Sequence, residues 1–452
     1  MARIFFAGAS QVEITPPLGT ILNGNFVAYY AQEVHDPLYS KALVLDDGRS
    51  VLVLVMVDIC AMDKEFILDI KKDIHRQFAI PPGNILIAAT HTHSAGSVID
   101  LLGTPCDLGY RKSIGSKILE SVVLALRKMQ PAKLGFAAVD VPEHAVCRRY
   151  YMKSGYSAYN PVTGGNDIVK TNPAGDEQMI ERRASAADTE LCCLAIMSME
   201  GKWISLLANY SMHYVGDCPD GIVTADYFGA FSRCITQKLG AGEDFVAMLS
   251  NGTSGDTNIW DFLDPERYPN KHYEKSELIG ADLATKLAEK LKTIPWNNNP
   301  VLSSAYADIT VAVRKPSSKE INAAKKILAE TNYRLLTPDR EGIISIYARE
   351  QILLNEFPDT TEFPVQALKI GDIIIGGLAG EFFAESGLCL KKQLIMEKYF
   401  TITMANGYSG YIPPAHEIKK GGYETWRCRN SHLEMHAEEL IRNKLLTLIR
   451  QG

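Results

Sequence analysis

Apolar and polar positions along the chain fall into two repeating periods. Apolar, β-branched runs near 2–14, 41–45, 51–58 and 84–90 have strand character, and segments of helical period near 64–78 and 109–129 alternate with them. The alternation continues with strands near 133–140, 190–199, 203–209 and 245–250 and with helices near 226–239 and 274–294. A third block begins with strands within 363–378 and closes with an amphipathic helix at 431–450. The pattern predicts an α/β fold, a layered mixed-sheet core with flanking helices.

Two stretches interrupt it. Residues 148–178 are rich in Tyr, Asn, Gly and Pro, and 317–356 form a charged helical segment with little apolar surface. Insertions this long are usually functional or disordered, and here they are read as pocket-forming. The weakest joint is "WNNNP" at 296–300, so the chain is expected to be a single domain, 1–452, with lobes 1–295 and 301–452 sharing one site.

Composition narrows the classes. The 452 residues are 46% hydrophobic and 22% charged, with a formal net charge of −6, and no basic run interleaves with aromatics. That excludes a nucleic-acid partner. No uninterrupted apolar run approaches the roughly 18 residues of a membrane span, so no transmembrane segment is expected. "MARIFFAGASQVEITPP" lacks the longer apolar core of a secretory signal, which makes a cytoplasmic location the expectation. The nine cysteines stand singly except for adjacent Cys192 and Cys193, without a Cys-x-x-Cys pair, which argues against both a disulfide framework and a thiolate zinc site.

Candidate chemistry gathers where apolar runs end. "ILIAATHTHSAGS" (85–97) carries His91 and His93 two positions apart, a spacing that on a strand puts both on one side at its carboxyl end. Such a pair suits a metal ligand beside an acid or oxyanion donor, or else two ordinary cap histidines. His213 follows the apolar run of "WISLLANYSMHYVG" and precedes the acidic helix start "TADYFGA". Glu381, in "IIIGGLAGEFFAESG", is a carboxylate after a long apolar stretch, costly to bury unless paired with a metal ion or a basic side chain. "AMLSNGTSGDTN" (247–258) is a Gly-rich loop whose backbone N–H groups could hold an oxyanion. Asp256 breaks the Gly-x-Ser-x-Gly pattern around Ser254, so a nucleophile elbow is not expected. "MANGYSGYIPPAHEIKKGGYETW" (404–426) places Tyr408, Tyr411 and Tyr423 in a turn-rich aromatic loop suited to line a pocket.

Taken in order, "GASQVEITPP", "ATHTHSAG", His213, "NGTSGDTN", "LAGEFF" and "NGYSGYIPPAHE…GGYE" resemble the catalytic domain of the neutral/alkaline non-lysosomal ceramidases, zinc-dependent hydrolases of an N-acyl linkage. The resemblance implies Zn²⁺ held by His91, His213, Glu381 and Tyr411. It places His93 beside the metal and the substrate and Tyr423 and Arg148 in the substrate pocket, where the aromatic-loop reading also puts Tyr408. The family's Gly-Asp-x-Ser-Pro-Asn motif reads Gly255-Asp256-Thr257-Asn258 here, so Asp256, Thr257 and Asn258 stand where a catalytic serine is otherwise assigned. Family members also carry an immunoglobulin-like C-terminal domain, whereas this chain ends in a predicted helix.

The resemblance implies a zinc-dependent amidohydrolase that acts on a small-molecule or lipid-like N-acyl substrate through a metal-activated water. The same site would also serve an esterase or lactonase on a polar or sugar-like substrate. A non-catalytic protein with a structural metal clamp is the alternative from another class, distinguished by a closed coordination shell.

Overall fold

The computed structural model describes residues 4–331, 340–394 and 398–451. The largest sheet has nine strands, eight of which follow one path: Val246–Asn251, Trp203–Tyr210, Glu190–Ser198, Gln130–Asp140, Phe6–Glu13, Tyr39–Asp46, Val51–Val57 and Ile85–Ala89. The short strand Trp296–Asn297 pairs onto Gln130–Asp140. In the middle, Phe6–Glu13 and Gln130–Asp140 are paired only at Phe6↔Pro131 and Ala7↔Gln130, so the sheet is two halves meeting at a corner. Each half ends in a parallel pair joined by a helix. Helix α1 (Lys64–Phe78) links Val51–Val57 to Ile85–Ala89, and α3 (Asp226–Lys238), packed against α4 (Glu274–Leu291), links Trp203–Tyr210 to Val246–Asn251.

Strand pleating explains why these runs carry so few polar residues. Val53, Val55 and Val57 face α1 and α2 (Leu108–Arg127), whereas Leu52, Leu54 and Met56 face a second core on the opposite side. Both faces are covered, so both alternate sets must be apolar. The second face meets another sheet, ordered Leu302–Ala312, Thr360–Ile370, Ile373–Leu378 and Lys398–Ile402, which contributes Leu368, Ile375, Phe400 and Ile402 to the same core. The outer face of that sheet is covered by Ile441, Leu445 and Leu448 of the C-terminal helix Ala437–Gln451. The layers run helix, sheet, sheet, helix, and the central core crosses the 296–300 joint. Caps set the helix starts: Asp63 accepts from the Phe66 N–H and Asp107 from the Tyr110 N–H, and Arg111 ties α2 to the Asp63 carboxylate.

Several expectations change in the structure. The 148–178 stretch is not a plain loop: Arg149–Met152 and Val169–Thr171 join Ile180–Arg183 in a small sheet pinned by buried Tyr150 and Val169. The 317–356 stretch contains α5 (Ser318–Glu330) and α6 (Arg340–Asn355), with 332–339 outside the described residues. Contrary to the reading of little apolar surface, α6 buries Ile346, Tyr347, Ala348 and Leu354, and its Glu350 is fully buried against Arg429. The last helix starts at Ala437 rather than 431, because Ser431 and Leu433 bridge to Gly410 and Val313. Strand Leu302–Ala312 was not anticipated, since only Leu302 and Val311 along it are buried. The first strand begins at Phe6 rather than near 2, and positions 2–3 of that reading lie outside the described residues. Among the described residues no helix is long and apolar enough to cross a membrane.

Lys71, on the inner face of α1, is 1% exposed, and the carboxylate acting on it, Asp308, is already paired with Lys64 at 2.8 Å. Burial pushes its ammonium pKa down to about 7. The unfolded chain therefore binds more protons between pH 7 and 10.5, and this residue makes stability rise with pH across that window. Lys71→Met should stabilise the protein by about 1–3 kcal/mol at pH 7 and flatten that rise, measured by denaturant midpoints at pH 7 and pH 9.5. A destabilised variant would refute the burial argument.

Candidate active site

Three backbone turns bring the strand-end residues together. His91 lies two residues past Ile85–Ala89 and adopts φ 75°, a left-handed conformation rare for a residue with a Cβ. Its N–H bonds to the Ile59 carbonyl at 3.0 Å and its Nδ1 to the Cys60 carbonyl at 2.7 Å. The Nδ1 bond makes that nitrogen the N–H and leaves Nε2 as the nitrogen available to a cation. His213, beyond Trp203–Tyr210, is held in the same way, with Nδ1 3.3 Å from the Ser254 carbonyl. Its turn is fixed by the buried Asp226 carboxylate, which accepts the Val215, Gly216 and Tyr227 N–H groups. Glu381 starts the two-residue strand Glu381–Phe382, parallel to Tyr411–Ile412 with Glu381 opposite Tyr411.

These residues converge. His91 Nε2 is 3.5 Å and His213 Nε2 3.6 Å from Glu381 Oε2, and all three side chains are buried. Tyr408 donates to Glu381 Oε1 at 2.7 Å, while Oε2 has no hydrogen-bond partner. Burial, and then the Arg148 charge, hold the His213 pKa well below its usual value; burial and the neighbouring His91 do the same for His93. At His91 burial acts downward, but Cys60 and Glu381 outweigh it and raise the pKa well above the ordinary value. Once a cation displaces the proton that Cys60 and Glu381 favour on His91, two imidazole Nε2 lone pairs and an unpartnered carboxylate oxygen suit a divalent ion. Donors about 2.0–2.1 Å from a tetrahedral zinc ion sit roughly 3.4 Å apart, which matches these separations.

His93 stands next to the group, its Nε2 3.2 Å from His91 Nε2, with its ring stacked on Tyr214 at 3.7 Å. The pair converges through a turn after the strand and not through strand pleating. A Cβ on Gly24 would fall 2.4 Å from His93 Nδ1, so only glycine admits the imidazole there. Tyr411 is 6% exposed, and its hydroxyl accepts from Arg148 Nη2 at 3.1 Å. Tyr423 packs against Tyr411, Phe26 and Trp426 with ring centroids 5.5, 5.9 and 6.0 Å away.

The Gly-rich loop is arranged differently from expectation. The N–H groups of Gly252, Gly255 and Thr257 bond to the Tyr210, Phe382 and Ser254 carbonyls, and the loop instead presents carbonyls, Ser254 to His213 and Gly255 to Arg148. Asp256 accepts from the Ala384 N–H at 2.7 Å and the Ser185 hydroxyl at 2.8 Å, bonds that fix the start of α7 (Ala384–Gln393). Asn258 donates to Asn172 Oδ1 and accepts from the Trp260 N–H. The buried Thr257 hydroxyl has no partner. A Cβ on Gly255 would lie 2.5 Å from the Glu381 carbonyl oxygen, so a glycine is what lets this loop reach Glu381.

A cavity of about 830 Å³, bounded by Lys41, Asp58 and Arg233, does not include the His–Glu group. A cavity of about 520 Å³, lined by Ile99, Leu101, Arg111, Phe357 and Tyr408, approaches it through Tyr408. Glu385, His416 and Glu417 also cluster, but the first two are exposed and the buried Glu417 is already engaged by Arg149 and Lys420. Sequence reasoning did not single out Asp226, Cys60 or Glu424; an Asp at a helix start was the only signal, and it pointed to the helix.

Comparison with known proteins agrees with this architecture. The solved neutral ceramidase from Pseudomonas aeruginosa superposes with a TM-score of 0.74 at 15% identity, covering 99% of this chain and 74% of that one. A ceramidase complexed with C2 gives a TM-score of 0.71 at 15% identity, with 99% and 76% coverage. At such identity these matches establish the shared fold. The family model described as neutral/alkaline non-lysosomal ceramidase, N-terminal, matches residues 5–259. With more than half of the chain matched, the protein belongs to the neutral/alkaline non-lysosomal ceramidase family.

Proposed function

We propose that this protein is a metal-dependent hydrolase of an N-acyl amide linkage in a lipid-like substrate, with His91, His213, Glu381 and Tyr411 holding a zinc-class divalent cation. The supporting observation is the convergence of two imidazole nitrogens on one unpartnered carboxylate oxygen at 3.5 and 3.6 Å. Family membership supports amide hydrolysis, and one similar solved structure is a ceramidase complexed with C2.

Bound there, the cation would lower the pKa of a water toward about 7 and polarise the substrate carbonyl. The chain's own residues would do the rest. Tyr408 orients the Glu381 carboxylate through its 2.7 Å bond, and Cys60 and Ser254 orient the two imidazoles. His93, neutral and adjacent, would hold or pass a proton at Nε2 and stabilise the oxygen that gains charge. Arg148 and the unpartnered Thr257 hydroxyl would be further donors, and the rings of Phe26, Tyr423 and Trp426 would exclude water.

The test is elemental analysis of the purified protein together with hydrolysis of N-octanoylsphingosine before and after chelation. The expected result is about one divalent cation per chain, loss of turnover on chelation and its return with zinc. Unchanged turnover in chelator, or a metal-loaded protein that cleaves esters but no amide, would overturn the reading.

A further inference from the structure

The geometry points to Glu424 as the positioning residue that aims the Arg148 guanidinium at the reacting centre, a role that deepens the proposed hydrolase and rests on that reading. Glu424 is fully buried, in a short helical turn directly after Tyr423. Its Oε1 accepts from Arg148 Nε at 2.8 Å; its Oε2 accepts from Arg149 Nη1 and the Thr171 hydroxyl, both at 2.8 Å. Burial would raise this carboxyl, but Arg148 and Arg149 outweigh it and hold it below the usual range, so it stays ionised. An ionised carboxylate in the interior must have partners, and this one has three.

The two arginines play different parts. Arg149 bonds to Glu417 and the Gly421 carbonyl, so it anchors Glu424 to the small sheet. Arg148 has other partners: Nη2 reaches the Gly255 carbonyl at 2.7 Å and the Tyr411 hydroxyl at 3.1 Å. Its guanidinium is thus held at two edges, Nε by Glu424 and Nη2 by the Gly-rich loop and Tyr411. A planar fork fixed at two points cannot rotate, and its remaining nitrogen, Nη1, makes no hydrogen bond to the described residues. Nη1 is therefore the donor left for a substrate oxygen. Without Glu424 the guanidinium would pivot about its Nη2 contacts and lose that aim, and a donor about 1 Å out of place can cost two orders of magnitude in rate.

The test is a double-mutant cycle of Glu424→Gln with Arg148→Ala. Two quantities are measured for the four metal-loaded proteins: kcat on N-octanoylsphingosine, and the Kd for octanoate, the carboxylate product, by calorimetry. Metal content and thermal midpoint are recorded for each. E424Q should lower kcat about 10–100-fold and weaken octanoate binding about tenfold when Arg148 is present, yet change either less than threefold in the R148A background. Metal content should remain at the wild-type level in all four. Should E424Q not fold, E424D keeps the charge for Arg149 while withdrawing the oxygen from Arg148 Nε, and the same cycle is read with it. Equal losses in both backgrounds would mean that Glu424 only supports the fold, and would overturn the inference. A wild-type protein that hydrolyses no amide, with the octanoate coupling still present, would remove the proposed function and leave the positioning role standing.

Discussion

Glu381→Ala should yield a folded protein that retains little or no divalent cation and turns over at least about 10³-fold more slowly than wild type. The carboxylate supplies the only negatively charged side chain in the His91–His213–Glu381 group, and its Oε2 is the atom on which both imidazoles converge. Removing it leaves two imidazole nitrogens and the Tyr411 hydroxyl, with no carboxylate charge to offset the dehydration of a divalent ion. The metal contribution to such chemistry is several kcal/mol of barrier, and each 1.36 kcal/mol is tenfold in rate, which gives the expected factor. The backbone should persist, because Glu381 N–H bonds to the Gly410 carbonyl at 2.8 Å whatever the side chain. Elemental analysis beside circular dichroism checks both halves. A variant that keeps a full equivalent of metal and wild-type turnover would show that the site is elsewhere.

His93→Ala is expected to separate binding from chemistry. His93 contacts His91 through Nε2 at 3.2 Å but lies outside the group that meets Glu381, so the metal should remain at the wild-type level. Its loss removes one preorganised donor beside the reacting carbonyl, worth about 3 kcal/mol, and kcat should fall by about 10²-fold or more with a much smaller change in KM. The imidazole is held for this purpose by the Tyr214 ring on one side and the close approach of Gly24 on the other. A drop in metal content equal to the drop in kcat would instead make His93 a ligand.

Much of the fold was legible in the chain because the signal was local. The run Val51–Val57 is apolar at every position, and the structure buries both of its faces. The helices at 64–78 and 226–238 were equally plain, with Asp63 as a side-chain cap on the first. Leu302–Ala312 escaped notice because it is a half-exposed edge strand, and the buried face of α6 because its apolar residues are interspersed with charges such as Glu350, whose partner Arg429 lies far along the chain. The site divides in the same way. His91, His213 and Glu381 stood out as polar residues at the ends of apolar runs, whereas Tyr411 carried no such mark within a loop of tyrosines.

The sequence by itself determined which segments become strands and helices and which strand ends carry ligating side chains, because hydrophobic period and turn chemistry act over a few residues. Only the tertiary structure decided that Glu381 lies opposite Tyr411, that the Ser254 and Cys60 carbonyls choose the imidazole nitrogens, and that Glu424 joins Arg148 to Arg149. Those contacts span tens to hundreds of residues. They depend on how the strands and sheets register against one another, which no local pattern encodes.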